Sequence, residues 1–334
     1  MEPIDYTILF NEGEALEADL ILELGDISII PDVSIMIPTY NRPKLLFEAL
    51  NSALTQDYKG NYEIVIIDNC SDKESFLLVI QNLKLLTVPQ NCKIRFYKCI
   101  SHSNGWNMGI IKAEANFIVM LHDDDLLNSN HLTVTSRLAK MNKDIDILCS
   151  DSQVLMETDV LSKANKLYAW LKERIKEVRR GRLIKLKIVD FYFENPAPNT
   201  GIFFKRDLVL RHGGFNSKYN PIPDYAFLYQ FLKDGRTIFY LNQKLSSIRF
   251  SVNDGLKRDT NLRVKVKIEL IRKDIRGSNF FLRSFDLGYH TCNNLLTVLE
   301  LKNKKSGFDN FQIFALRMYT RILSLVDSSF RIWF

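Results

Sequence analysis

Three consecutive carboxylates, Asp123, Asp124 and Asp125, follow the apolar run FIVML at 117–121, which has the composition of a strand buried on both faces. Adjacent carboxylates repel one another, so a chain that closes them onto a buried strand must offset that repulsion. A divalent cation does so: hard ions such as Mg and Mn take oxygen ligands, commonly one or two carboxylates completed by water and phosphate oxygens. A solvated acidic turn capping the next helix reads the same residues without a ligand. Two further polar clusters follow apolar runs in the same way. The run at 33–37 ends in Pro38, Thr39, Tyr40, Asn41, Arg42 and Pro43, and the run at 64–67 ends in Asp68, Asn69, Cys70, Ser71 and Asp72. Thr39, Asn41, Asp68 and Asn69 offer donors and acceptors to a nucleobase or ribose, and the Tyr40 ring offers a cover for a base. An Asx turn and ordinary core packing are the alternatives.

Strands and helices must alternate to place these clusters. Apolar runs of strand length begin at Val33, Tyr62, Lys93, Phe117, Asp144, Gly201 and Thr237. Segments 43–56, 73–86, 107–115 and 131–141 between them carry apolar residues at spacings of three and four. The alternation predicts an α/β fold, Rossmann-like, with a mostly parallel sheet flanked by helices. Ligands of such sheets sit at the carboxyl ends of the strands, where all three clusters fall. After about residue 250 the pattern turns to Lys/Arg-rich helices, predicted at 262–276 and 311–334. The expected division is an N-terminal extension at 1–32, a main domain at 33–250 and a helical C-terminal region at 251–334.

With 334 residues, 46% hydrophobic and 25% charged, the chain is able to bury a sizeable core. Cys70, Cys92, Cys99, Cys149 and Cys292 are odd in number and contain no CxxC pair, which argues against a disulfide framework and a thiolate zinc site. The acidic residues from Glu2 to Asp26 leave no basic-then-apolar leader, so the expectation is a cytoplasmic protein. The C-terminal run at 311–334 is too broken by Arg317, Arg321, Asp327 and Arg331 to span a bilayer. No GxGxxG follows an apolar run, which excludes a dinucleotide-binding oxidoreductase of that type.

The segments VSIMIPTYNRP, IVIIDNCSD, NGWNMGI and FIVMLHDDDLL, in this order and spacing, resemble the family 2 glycosyltransferases of GT-A fold over about residues 33–250. The resemblance implies an inverting enzyme that moves a sugar from a nucleoside-diphosphate sugar to an acceptor hydroxyl, in bacterial surface polysaccharide or glycolipid synthesis. It implies a Mn or Mg ion, and uridine diphosphate as the default donor nucleotide. Pro38, Thr39, Tyr40, Asn41, Arg42 and Asp68 then hold the nucleotide. The aspartates of the so-called DXD motif, Asp123, Asp124 and Asp125, hold the metal and the sugar diphosphate. His122 stands where many members have Asp, which leaves open which carboxylate meets the ribose and which the ion; His122 itself lines the sugar pocket or serves as a structural donor. Trp106-Asn107 stands where others carry Arg-Asn, with Asn107 assigned to the nucleotide.

The same resemblance puts the general base on the helix after GGF, at Asp224, with Pro223 where Glu is usual. Proline suits a first helical turn, and the helix dipole there favours an ionised carboxylate. Capping of the helix is the other role open to Asp224. Arg249 falls where members place a cation near the diphosphate, and Asn199, Thr200 and Gly201 precede a strand on the acceptor side. The departures at Pro223 and His122 keep an alternative open, a catalytically impaired nucleotide-sugar-binding module. Ten Lys or Arg residues at 163–187 and the aromatic tail offer a peripheral contact with an anionic membrane, consistent with a lipid-linked acceptor, or else a solvated basic face. A formal net charge of +6 without a recognition motif argues against nucleic acid.

Overall fold

The computed structural model describes residues 17–101, 104–155, 181–192, 195–249 and 258–276. The chain divides into two compact units: Met1–Thr158 with Gly181–Lys187 and Ala197–Lys267, and Asp159–Arg180 with Ile188–Pro196 and Ile268–Phe334. Most of the predicted basic segment, 163–180, and the predicted C-terminal helix at 311–334 lie outside the described residues, as does Cys292.

The first unit is built on one sheet. Its strands are β1 (Ala18–Gly25), β2 (Val33–Thr39), β3 (Tyr62–Asp68), β4 (Cys92–Cys99), β5 (Phe117–Met120), β6 (Leu126–Leu127), β7 (Ile147–Leu155), β8 (Leu183–Lys185), β9 (Ile202–Lys205) and β10 (Ile238–Arg249). They run in the order β1-β4-β3-β2-β5-β9-β7-β10-β6, with β8 paired to β10. The central run β4-β3-β2-β5 is parallel throughout, and its strands are joined through α1 (Pro43–Leu54), α2 (Lys73–Leu83) and α3 (Gly105–Lys112). β9 enters antiparallel between β5 and β7, and β10 returns parallel to β7. The first strand, β1, lies antiparallel on β4 and had no counterpart in the periodicity reading: its short aliphatic run, Leu20 to Leu22, sits between Asp19 and Glu23 on a half-exposed edge.

Local sequence accounts for the elements around the site. β2 and β3 are buried nearly end to end, with Ile35, Ile37, Ile64 and Ile66 fully buried, each worth about 1.5–3 kcal/mol against exposure. Helix α1 starts on Pro43, buries Leu46, Ala49, Leu50 and Ala53 on one face, and stops where the Thr55 hydroxyl bonds back to the Asn51 carbonyl at 2.9 Å. Asp72 caps α2 by accepting from the Ser75 N–H at 2.8 Å, and Asn104 caps α3 by accepting from the Trp106 N–H at 3.2 Å. Glycine sets how closely α3 sits on the sheet: a Cβ on Gly109 would come within 3.0 Å of the Met36 sulfur.

The strands end in register. Thr39 pairs with Asp68 between β2 and β3, Met36 pairs with Met120 between β2 and β5, and the Leu121 N–H donates to the Met36 carbonyl at 3.1 Å. The three polar clusters therefore emerge side by side at one edge. Helix α4 (His131–Met141) follows β6, α5 (Arg206–His212) follows β9, and α6 (Pro223–Lys233) precedes β10. In the second unit, Ile271 on helix α7 (Arg258–Arg276) is buried, and the Arg272 Nε donates to the Tyr192 carbonyl at 2.7 Å.

Candidate active site

The acidic triplet leaves β5 in a tight turn, closed by the Asp125 N–H on the His122 carbonyl at 3.2 Å, and its three carboxylates part company. Asp123 turns toward β2: its Oδ2 accepts from the Thr39 hydroxyl at 2.9 Å and its Oδ1 lies 3.4 Å from the Arg42 guanidinium. Arg42 also donates to Asp124 at 3.1 Å, so one guanidinium bridges two carboxylates. Asp125 points the other way, accepting from the Thr200 hydroxyl and, at 2.9 Å, from the Arg249 N–H. His122 Nδ1 lies 3.7 Å from Asp125 Oδ2, and its ring packs on Trp106 with centroids 4.8 Å apart. His122, Asp124 and Asp125 each present a donor atom, and the three atoms lie within 4.8 Å of one another. These residues thus fit a divalent cation.

On the β2–β3 side, Asn41 takes a left-handed φ of 52° that lets its side chain accept from the Asp72 N–H at 2.8 Å. Its own N–H donates to the Ser71 hydroxyl at 2.9 Å. Asp68 is buried and accepts from the Ser71 N–H at 3.2 Å. Tyr40, on the turn after β2, is 49% exposed. Asp224 occupies the first turn of α6, just after Pro223, where its carboxylate accepts from the Asn199 amide and from the Tyr225 N–H at 2.9 Å.

Burial dominates the electrostatics. It pushes the carboxyls of Asp68, Asp123, Asp125 and Asp224 above the ordinary aspartate range. Opposing contributions come from the Thr39 hydroxyl and Arg42 at Asp123, and from His122, Thr200 and the Arg249 N–H at Asp125. For Asp224 desolvation outweighs the opposing effects of His122, the Tyr225 N–H and the Asn199 amide, so its proton is held more tightly than in a solvated aspartate.

A model of glycosyl transferase family 2 matches residues 34–197. That segment is of glycosyltransferase family 2. An uncharacterized glycosyltransferase of Haemophilus influenzae is 22% identical over 286 residues, covering 84% of this chain and 90% of that protein. The poly(ribitol-phosphate) beta-N-acetylglucosaminyltransferase TarS of Staphylococcus aureus is 31% identical over 102 residues, only 17% of its length. A GalNAc(5)-diNAcBac-PP-undecaprenol beta-1,3-glucosyltransferase of Campylobacter jejuni is 32% identical over 114 residues, covering 33% of this chain and 35% of that protein. The crystal structure of S. aureus TarS 1–349 in complex with UDP superposes with a TM-score of 0.50 at 17% identity, covering 80% of each chain. The fold is GT-A.

Against this family frame, the structure gathers Thr39, Arg42, Asp123, Asp124 and Asp125 into one bonded cluster, with Tyr40, Asn41 and Asp68 on the adjoining turns. Pro38 supports the start of α3, where a Cβ on Gly105 would come within 2.9 Å of it. Asn107 is buried and holds both backbone groups of Phe215, donating to its carbonyl and accepting from its N–H, each at 2.8 Å. It ties α3 to the GGF turn that precedes α6. Arg249 contributes its main chain to Asp125, while its guanidinium donates to Glu48 on α1. Glu48 had no signal in the sequence beyond being polar, while Ser71 stood in the polar cluster after the run at 64–67. Asn199 and Thr200 reach Asp224 and Asp125, and Gly201, at a φ of 77°, makes that approach possible: a Cβ there would meet the buried His131 ring at 2.7 Å.

Proposed function

We propose that this family 2 glycosyltransferase transfers a sugar from a nucleoside-diphosphate sugar to an acceptor hydroxyl with inversion, using a Mn or Mg ion. The observation that carries the reading is the convergence of a polar ledge after β2 and β3, an acidic cluster with cation-ligand spacing and, tied to it through the segment Asn199-Thr200, Asp224. Asp124 and Asp125, with Asp123 beside them, would hold the cation, which when bound stabilises charge developing on the leaving diphosphate. Tyr40, Asn41 and Asp68 bind the nucleoside. Arg42, held at the acidic cluster without a ligand, has the planar fork that matches a phosphate. The main chain at Arg249 orients Asp125.

Asp224 takes the proton of the acceptor hydroxyl as the new bond forms, and Asn199 and the Tyr225 N–H fix its direction. A single displacement from the face opposite the leaving group needs no covalent enzyme intermediate and inverts the anomeric centre. A uridine nucleotide is the default donor, in keeping with the UDP bound by TarS. A lipid-linked or glycan acceptor in surface polysaccharide or glycolipid synthesis accords with the name of the Campylobacter relative. Among the described residues no helix is long and apolar enough to cross a membrane.

The test is a panel of nucleoside-diphosphate sugars incubated with the full chain and MnCl2, with and without EDTA. Cation-dependent release of the nucleoside diphosphate, with the anomer of the product reversed, is the expected result. Donor binding without turnover on any acceptor would return the impaired binding module, and no binding at all would remove the reading.

A further inference from the structure

We propose that His122 is itself a ligand of the cation, so that the site is one imidazole with two carboxylates, Asp124 and Asp125, rather than the three adjacent carboxylates the sequence suggests. The proposal rests on the cation-dependent reading above and makes it specific to this chain. Three observations carry it. First, the donor atoms that lie within 4.8 Å of one another belong to His122, Asp124 and Asp125, and Asp123 is not among them. Secondly, Asp123 is engaged elsewhere: the Thr39 hydroxyl at 2.9 Å and Arg42 at 3.4 Å direct it toward β2. Thirdly, the His122 ring packs on Trp106 with centroids 4.8 Å apart and has Asp125 Oδ2 3.7 Å from its Nδ1, yet its buried Nε2 has no hydrogen-bond partner.

A buried ring nitrogen without a partner is uncommon in a folded protein and calls for a ligand to account for it. An immobilised imidazole also has little entropy left to lose on coordination. The ring carries two nitrogens, so one is able to coordinate while the other hydrogen-bonds, the arrangement that orients most metal-binding histidines. The chemistry sets the preference among ions. Imidazole suits transition ions such as Mn, Co and Zn better than Mg, which favours an all-oxygen shell. The site should accordingly take Mn in preference to Mg by more than a purely carboxylate site would.

Mn(II) binding to the nucleotide-free full-length chain tests this, by calorimetry together with pulsed electron paramagnetic resonance. The expected result is nitrogen-14 modulation of the bound Mn(II) echo in the wild type. It should vanish in His122→Asn, with Mn affinity lowered at least the ~10–100-fold that even an outer-shell partner is worth. His122→Asp should keep a bound Mn without nitrogen modulation and narrow the Mn-over-Mg preference. The wild-type spectrum decides the matter even where a variant fails to fold. Bound Mn with no nitrogen coupling, lost on Asp125→Asn, would overturn the imidazole ligand and leave the cation-dependent reading standing. No Mn bound by the wild type, with or without UDP, would overturn both.

Discussion

Asp224 illustrates how a shift in proton affinity becomes a rate. Its carboxyl sits above the ordinary value of 3.8, chiefly through burial, so its ionised form is a stronger acceptor than a solvated aspartate and is lost at a higher pH. The acid limb of kcat/KM is therefore expected above 3.8, activity falling as pH drops through that limb, and steady-state rates across the acid range check it. Asp224→Asn should lower kcat by about 10²–10⁴ while leaving donor affinity within a few fold, as rates and calorimetry on the same preparation would establish. Arg42 makes a different prediction. Its guanidinium neutralises Asp123 and Asp124 without a ligand and so competes with a cation. Arg42→Ala should tighten Mn binding in the absence of nucleotide by a few fold, on the order of 1 kcal/mol, and weaken binding of the nucleoside diphosphate. Equal weakening of both ligands would refute the competition.

Among the elements, α3 links the sheet to the turn before α6. Gly105 and Gly109 let it lie against Pro38 and Met36, and Asn107 reaches from it to both backbone groups of Phe215. Asn107→Ala leaves the buried Phe215 N–H without its partner, at about 1–3 kcal/mol, while the Phe215 carbonyl keeps the Asn104 amide at 3.0 Å. A loss of about 1–3 kcal/mol in denaturant unfolding is expected, with a larger fall in kcat than in donor affinity, because the GGF turn leads to the helix carrying Asp224. The second strap is the segment 199–201. Asn199 and Thr200 tie Asp224 and Asp125 to one turn, so the carboxylates proposed to meet the acceptor and the cation are positioned together.

For the whole molecule the buried carboxylates set a pH dependence of stability. Asp68, Asp123, Asp125 and Asp224 all have raised values in the folded state. Their stabilising contribution is therefore full below the unfolded value of 3.8 and is lost as pH rises through the folded values, where the buried groups must ionise. The proposed cation would offset that loss, with protons competing for the same oxygens. The rise in Tm on adding MnCl2 with UDP should thus be larger near neutral pH than in mild acid, reaching about 2.7 kcal/mol of stabilisation at a hundredfold excess over Kd. A rise that grows toward acid pH would contradict the assignment of these carboxylates to the ligand site.

The sequence alone determined that α/β alternation, the position of the three polar clusters at carboxyl strand ends, and the family. Those features follow from local composition: apolar runs buried on both faces, and helices with one apolar face. Where each carboxylate points was decided only in three dimensions. Asp123, Asp124 and Asp125 are indistinguishable as neighbours in a chain, and it is Thr39 and Arg42 from β2 and Thr200 from the turn before β9 that send them in different directions. The raised affinity of Asp224 for its proton, the diversion of the Arg249 guanidinium to Glu48 and the attachment of Asn107 to Phe215 likewise depend on groups up to 201 residues apart in the chain. Desolvation and long-range hydrogen bonds are properties of packed neighbours, and no spacing rule along one strand or helix encodes them.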